Sequence, residues 1–305
     1  ARIEKETTEA DLKMKTVEAY YSYLTAEAAR EAMDEALGGV AAHVDQAKAF
    51  YEAEFITKND YLQAEVRQAQ LEAQRLQIEQ GVVLAGEGLL LLLNEDGDEI
   101  LVPIDDPDGD AAFLTKDGIP DEEAALDLAA GNRPEILQID KAIAASEQAV
   151  KLTKGGWIPT VAAFASYQHE EGSVMEMPPI MVGATVSWNF GQWGKVYYQV
   201  DEAKSKLAAV KTGKASVEQF VGFEVKQALL GIALAKKEIE IQEKAVAAAE
   251  EQLRIEKERY DKKVNTSTEV LDATARLVQA QVELSTYRYE YLVAIARLRK
   301  ACGTL

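Results

Sequence analysis

Glu269 and Asp272 stand three residues apart in the stretch NTSTEVLDAT (265–274), with Asp261 shortly upstream, in a chain that is already strongly acidic. Residues three apart on a helix share a side, so these carboxylates project together. Such a pair can line a passage that favours cations. It can also serve an enzyme, but the sequence offers no nucleophile motif, phosphate loop or metal cluster to accompany it. Glu269 has a simpler use as well. Thr266 is a plausible helix N-cap, and an acid three positions on completes a capping box and meets the positive end of the helix dipole. Asp272 has no such structural role.

Composition narrows the remaining classes. With 52 acidic against 33 basic residues the formal charge is −19, the wrong sign for a phosphate-backbone binder. No nucleic-acid partner is expected. Hydrophobic residues make up 48% of the 305, enough for a sizeable core. The only histidines, His43 and His169, lie far apart and have no cysteine neighbours, so no zinc site is expected and no cofactor is implied. A single cysteine, Cys302, excludes an internal disulfide. The longest apolar run, GVVLAGEGLLLLL at 81–93, is shorter than the ~18 to 20 residues of a membrane-spanning helix and contains Glu87. The chain starts ARIEKETTEA, without Met or a signal peptide, which suggests a processed or partial chain.

The elements that position the acids emerge from an internal repeat. YEAEFITKNDYLQA (51–64) aligns with YDKKVNTSTEVLDA (260–273) at an offset of 209 residues, and the register continues without a gap, pairing Ala26 with Ala235, Glu31 with Glu240 and Arg67 with Arg276. Each copy reads as a long helix, a polar turn and a second long helix. In the second copy the descending helix runs from about Gly194 to Lys262, on the order of 100 Å at ~1.5 Å per residue. Gly213, Gly222 and Gly231 are its weak points. The returning helix carries a seven-residue pattern, Val270, Leu277, Leu284, Tyr291 and Leu298 with Ala273, Ala280, Tyr287, Ala294 and Ala301, which is a coiled-coil seam. A soluble coiled-coil scaffold would carry the same seam.

The expected organisation is a first-repeat helical hairpin at 1–94, an acidic connector at 95–134 with a short possible strand at Ile100–Ile104, a helix at 135–159, a β-hairpin at 160–190 and a second-repeat helical hairpin at 191–305. In MVGATVSWNF (181–190), Val182, Ala184, Val186, Trp188 and Phe190 alternate with small or polar residues; TVAAFASYQ (160–168) alternates less cleanly. Strands of this length, with Trp157, Trp188 and Trp193 near their ends, suit a transmembrane β-barrel. A soluble hairpin covered by another domain fits the pattern too.

RPEI (133–136), GWIPTVAAFASYQ (156–168), VSWNFGQWGK (186–195), ERYDKKVNTSTEVLDA (258–273) and LRKACGTL (298–305) occur in the order found in the TolC-like outer-membrane efflux proteins, which the chain resembles over essentially its whole length. The resemblance implies a mainly α fold: long antiparallel helical hairpins forming one protomer of an α-barrel, with a short β-hairpin belonging to a transmembrane β-barrel. It implies a homotrimer in the outer membrane, in contact with lipid and extended into the periplasm. Its partners would be a periplasmic adaptor protein and an inner-membrane transporter, and the chain would be a passive conduit of an efflux pump or a type I secretion system, not an enzyme.

Against the family's pattern, the first copy lacks its strands and ascending helix, leaving two strands where the family has four per protomer. By motif match FITKND (55–60) and VNTSTE (264–269) are the periplasmic turns. Phe55, Thr57, Val264 and Thr266 would then meet the adaptor, and Glu269 and Asp272 would form the channel constriction. Asp60, Tyr260 and Asn265 would link the hairpins and hold the entrance shut. Asn265 stands where the best-known member has an arginine, and Glu54 and Lys263 replace the family's turn glycine.

Overall fold

The computed structural model describes residues 2–95, 118–167, 180–188 and 194–305. The elements are α1 (Arg2–Glu52), α2 (Lys58–Leu93), α3 (Glu122–Asn132), α4 (Pro134–Lys154), β1 (Thr160–Tyr167), β2 (Ile180–Ser187), α5 (Lys195–Asp261) and α6 (Ser267–Cys302). The fold is the expected one of long helical hairpins with one short strand pair. Helix α5 passes through Gly213, Gly222 and Gly231 without a break. The strand expected at 100–104 lies outside the described residues, and the acidic connector holds a helix, α3, that the sequence reading did not anticipate. Asp121 caps it by accepting from the Ala124 N–H at 2.9 Å.

One compact unit joins residues 1–134 with 221–305. Within it α1 is flanked by a helix from each repeat. Its contacts with α6 fix an antiparallel register: Asp11 pairs with Lys300, Glu18 with Arg297, the Tyr21 ring meets that of Tyr289 at a tilt, and His43 reaches Ser267. Helices α2 and α6 consequently run parallel where they meet. Gln63 accepts from Thr268, and Arg67 donates to Asp272 one turn further on.

This arrangement changes the meaning of the seven-residue seam on α6. Val270, Ala273, Ala280, Ala294, Leu298 and Ala301 are buried as the seam requires, but so are Leu271, Thr274, Val278, Ile295 and Cys302. A two-stranded coiled coil buries one stripe. Helix α6 buries a second, because it packs against a neighbour on each side. A buried cluster lies near the turns, where Val40, Val44 and Ala47 of α1 and Ala64 and Leu71 of α2 meet Leu253 and Tyr260 of α5 and Val270, Leu271 and Val278 of α6.

At its other end α6 docks on the α3–α4 junction. Pro134 disfavours helical backbone at the residue before it, and Arg133 is extended there (φ −66°, ψ 123°). The Arg133 side chain is buried and donates to the Lys300 carbonyl at 3.1 Å and to Glu224 at 2.5 Å. Gly303 ends α6 with φ +70°, its Cα so close to Asn132 that an added Cβ would lie 2.8 Å from that carbonyl. Two of the sequence motifs, RPEI and LRKACGTL, thus meet in one joint.

Helix α2 departs from one expectation. An 18-residue window within it reaches a mean hydropathy of 1.4, so by length and composition it could cross a membrane. The sequence reading weighed uninterrupted apolar residues, whereas in a long helix isolated acids are averaged over the window. Only 11% of that window is buried, and Leu84 and Leu91 are exposed.

Residues 135–220 form the second unit. Lys214 pairs with Asp140 at 2.7 Å and Lys211 with Glu147 at 3.1 Å, tying the start of α5 to α4. Strands β1 and β2 are antiparallel, with Val161 opposite Val186, Ala163 opposite Ala184, Ala165 opposite Val182 and Tyr167 opposite Ile180. Directly opposed residues share a face, so these eight make one apolar face. Thr160, Ala162, Phe164 and Ser166 share the other with Met181, Gly183, Thr185 and Ser187. Phe164 folds over Gly183, where a Cβ would lie 2.6 Å from the ring. Nearly every residue of both strands is exposed, as are Trp157 and Trp188. Trp193, Phe190 and His169 lie outside the described residues.

Candidate functional site: the two helical turns

The two turns are copies of each other to the level of single bonds. In the first, the N–H groups of Ala53, Glu54 and Phe55 donate to the carbonyls of Ala49, Tyr51 and Phe50; in the second, those of Lys262, Lys263 and Val264 donate to Glu258, Tyr260 and Arg259. Every donor and acceptor is displaced by the same 209 residues. Glu54 and Lys263 take left-handed backbone, φ 59° and 62°, the conformation that glycine normally supplies at a helix end. Both turns are thus closed in the glycine-type conformation without a glycine.

The following helices start alike. Thr57 is extended (φ −79°, ψ 157°), its hydroxyl accepts from the Asp60 N–H at 3.2 Å, and Asp60 accepts from the Thr57 N–H at 3.2 Å. Thr266 is also extended, and Glu269 accepts from its N–H at 2.8 Å. Both are capping boxes, so Asp60 and Glu269 are held within their own turns.

The remaining candidates divide. Asn265 donates to the Glu256 carbonyl at 3.1 Å and to the Glu256 carboxylate at 2.6 Å, so within the chain it fastens its turn to α5 and not to the other repeat. Tyr260 is buried and does cross between repeats, through its ring, which stacks on Phe50 at 5.6 Å and meets His43 at 4.5 Å. Burial pushes that phenol above its ordinary pKa. Phe55 and Val264 are exposed at the apex of their turns. Asp272, with no cap to make, is bound by Arg67 of α2 at 2.9 Å.

Three further residues join the repeats here. The Lys263 ammonium lies over the Phe55 ring. His43, buried on α1, shares a 2.6 Å hydrogen bond with the Ser267 hydroxyl at the first position of α6. Burial, then the nearby Lys257 charge, lowers its pKa to about 4, opposed by Asp261 and Ser267, so the ring is neutral at neutral pH. Gln46 donates to Asp261 at 2.8 Å. The sequence did carry a trace of Arg67. It stands four residues after Gln63, the repeat equivalent of Asp272, and so on the same helical face.

Comparison with known proteins agrees with this geometry. The family described as "Outer membrane efflux protein" matches residues 125–304. The chain is 30% identical over 124 residues to the outer membrane protein TolC of Escherichia coli and 41% identical over 63 residues to that of Vibrio cholerae, covering 41% and 21% of this chain. These alignments span only 25% and 14% of the relatives' own length. The crystal structure of the outer membrane protein VceC from Vibrio cholerae shares the fold with a TM-score of 0.78 at 20% identity, covering 99% of this chain and 72% of that one. The long hairpins and the strand pair share the fold of that solved structure, and the chain belongs to the outer membrane efflux protein family. Members of this family are passive outer-membrane channels with a periplasmic extension, and not enzymes.

Proposed function

We propose that the chain is the outer-membrane duct of a tripartite export assembly, either an efflux pump or a type I secretion system, working as a homotrimer with a periplasmic adaptor and an inner-membrane transporter. The observation that carries this reading is the strand pair. Its strands have eight residues each, about 26 Å at ~3.3 Å per residue, which at a barrel tilt of ~35–45° rises about 20 Å, most of the ~25 Å apolar band of a membrane barrel. One of its faces carries only aliphatic residues and Tyr167, and nearly all residues of both strands are exposed. A soluble scaffold, the other reading, would leave this hairpin in water along with Leu84 and Leu91 of α2 and Leu230 and Leu234 of α5. Exposed apolar surface of that extent marks an interaction site.

The duct needs no cofactor and catalyses nothing, energy entering at the inner-membrane partner. Phe55, Thr57, Val264 and Thr266 are proposed as the adaptor-facing turns. Asp60, Tyr260 and Asn265 are proposed to hold the entrance closed, and Glu269 with Asp272 to form its acidic constriction. Glu269 supports this role because its cap uses one carboxylate oxygen and leaves its charge in place.

The test is conductance of the detergent-extracted full-length protein in a planar bilayer. Trimers that conduct, with cation preference reduced in Glu269→Gln/Asp272→Asn, are expected. A water-soluble monomer without conductance would overturn the assignment, and unchanged selectivity in the double variant would remove the constriction.

A further inference from the structure

We infer that Arg67 is a selectivity-determining residue of the tip, a built-in countercharge that cancels Asp272 and leaves Glu269 as the effective acid of the pair. Its guanidinium reaches from α2 to α6, donating to Asp272 Oδ1 at 2.9 Å while the other terminal nitrogen donates to the Gln70 side chain at 3.1 Å. Its Nε is buried, so the group is pressed onto the protein and held on two sides. The side chains of Arg67 and Asp272 are 34% and 42% exposed, which leaves the pair facing water. It opens on a cleft of about 440 Å³ lined also by Leu62, Val66, Gln63 and Thr268.

The pairing has no counterpart in the duplicate. The repeat offset sets Arg276 at the position of Arg67 and Gln63 at that of Asp272, and Gln63 carries no charge. The geometry therefore places one cation of the first repeat against one acid of the second. Per chain, the trio of Glu269, Asp272 and Arg67 sums to −1 where the acids alone give −2. At ~0.1 M salt the Debye length is ~10 Å, and Arg67, in contact with Asp272 at 2.9 Å, opposes that acid's field at every point an ion can reach.

This inference rests on the proposed reading that Glu269 and Asp272 face the conduit, and one experiment separates the two. Reversal potentials are measured in a KCl gradient for the full-length channel carrying Arg67→Gln, Asp272→Asn, or the exchange Arg67→Asp with Asp272→Arg. Arg67→Gln should raise the potassium-over-chloride permeability ratio at least twofold, Asp272→Asn should lower it, and the exchange should leave it at the wild-type value. If Asp272→Asn shifts the ratio and Arg67→Gln does not, Arg67 is no countercharge and the constriction stands. If neither shifts it, Asp272 does not face the ion path, and both the countercharge and the paired-acid constriction fall. The exchange keeps the link between α2 and α6, so a change in its selectivity also counts against the countercharge.

Discussion

The ammonium of Lys263 sits 2.9 Å from the centre of the Phe55 ring and 5.5 Å from that of Phe50, so a cation on the second turn covers the aromatic pair of the first. Lys263 makes this contact from left-handed backbone, the conformation Glu54 takes in the other turn. Glu54→Gly should stabilise by about 1 kcal/mol, since only the strain is removed. Lys263→Gly should gain little, because an exposed cation–π contact of ~0.5 to 1 kcal/mol is lost with it. In a Phe55→Leu background Lys263→Gly should become stabilising. Melting temperatures of the full-length protein in detergent, arranged as a double-mutant cycle, test the coupling.

His43 makes stability depend on pH. Its pKa is lowered to about 4 in the folded chain against ~6.5 when exposed, so between these values the unfolded state binds the additional proton. Stability should be greatest above about pH 6.5, fall by ~3 kcal/mol as the pH drops to about 4, and level off below. The repeat equivalent of His43 is Gln252, and His43→Gln should flatten this part of the profile. Thermal unfolding of both proteins from pH 4 to 7 measures the difference.

The cap at Glu269 separates shape from charge. Glu269→Gln keeps an oxygen for the Thr266 N–H and should change stability by less than about 0.5 kcal/mol, while Glu269→Ala should cost ~1 kcal/mol. Both remove the charge, so their channel selectivities should agree although their stabilities do not. Denaturant titration beside reversal-potential measurement checks the dissociation.

Gly303 should tolerate no side chain. Gly303→Ala meets both the left-handed φ and the Asn132 carbonyl 2.8 Å from its Cβ, which is backbone and cannot swing aside. A loss of ~2 to 4 kcal/mol is expected. Earlier proteolysis near residues 118–134, where α3 is released from α6, reports it.

What the sequence revealed follows the range of the interactions. The turns and caps were legible because each is written in a few adjacent residues: Thr57 with Asp60, Thr266 with Glu269, repeated at one offset. The links between the turns were not. Arg67 and Asp272, or Lys263 and Phe55, meet only because α1 holds α2 and α6 in a particular alignment, and no local pattern encodes it. The seam on α6 was visible, yet its second buried stripe follows from having two neighbours. Helix α3 was hidden by its Gly-, Pro- and Asp-rich surroundings, although Asp121 before it and Gly131–Asn132 at its end are ordinary helix boundaries.

The strand pair sets the order of events in making the protein. Among the described residues both outer edges of β1 and β2 lack a hydrogen-bonding neighbour, and neither lipid nor water suits such an edge beside an apolar face. The helices can pack within one chain, whereas the hairpin reaches its final surroundings only beside other strands. If those strands belong to other copies, the last step of folding is second order in protein, and its half-time shortens as the concentration rises.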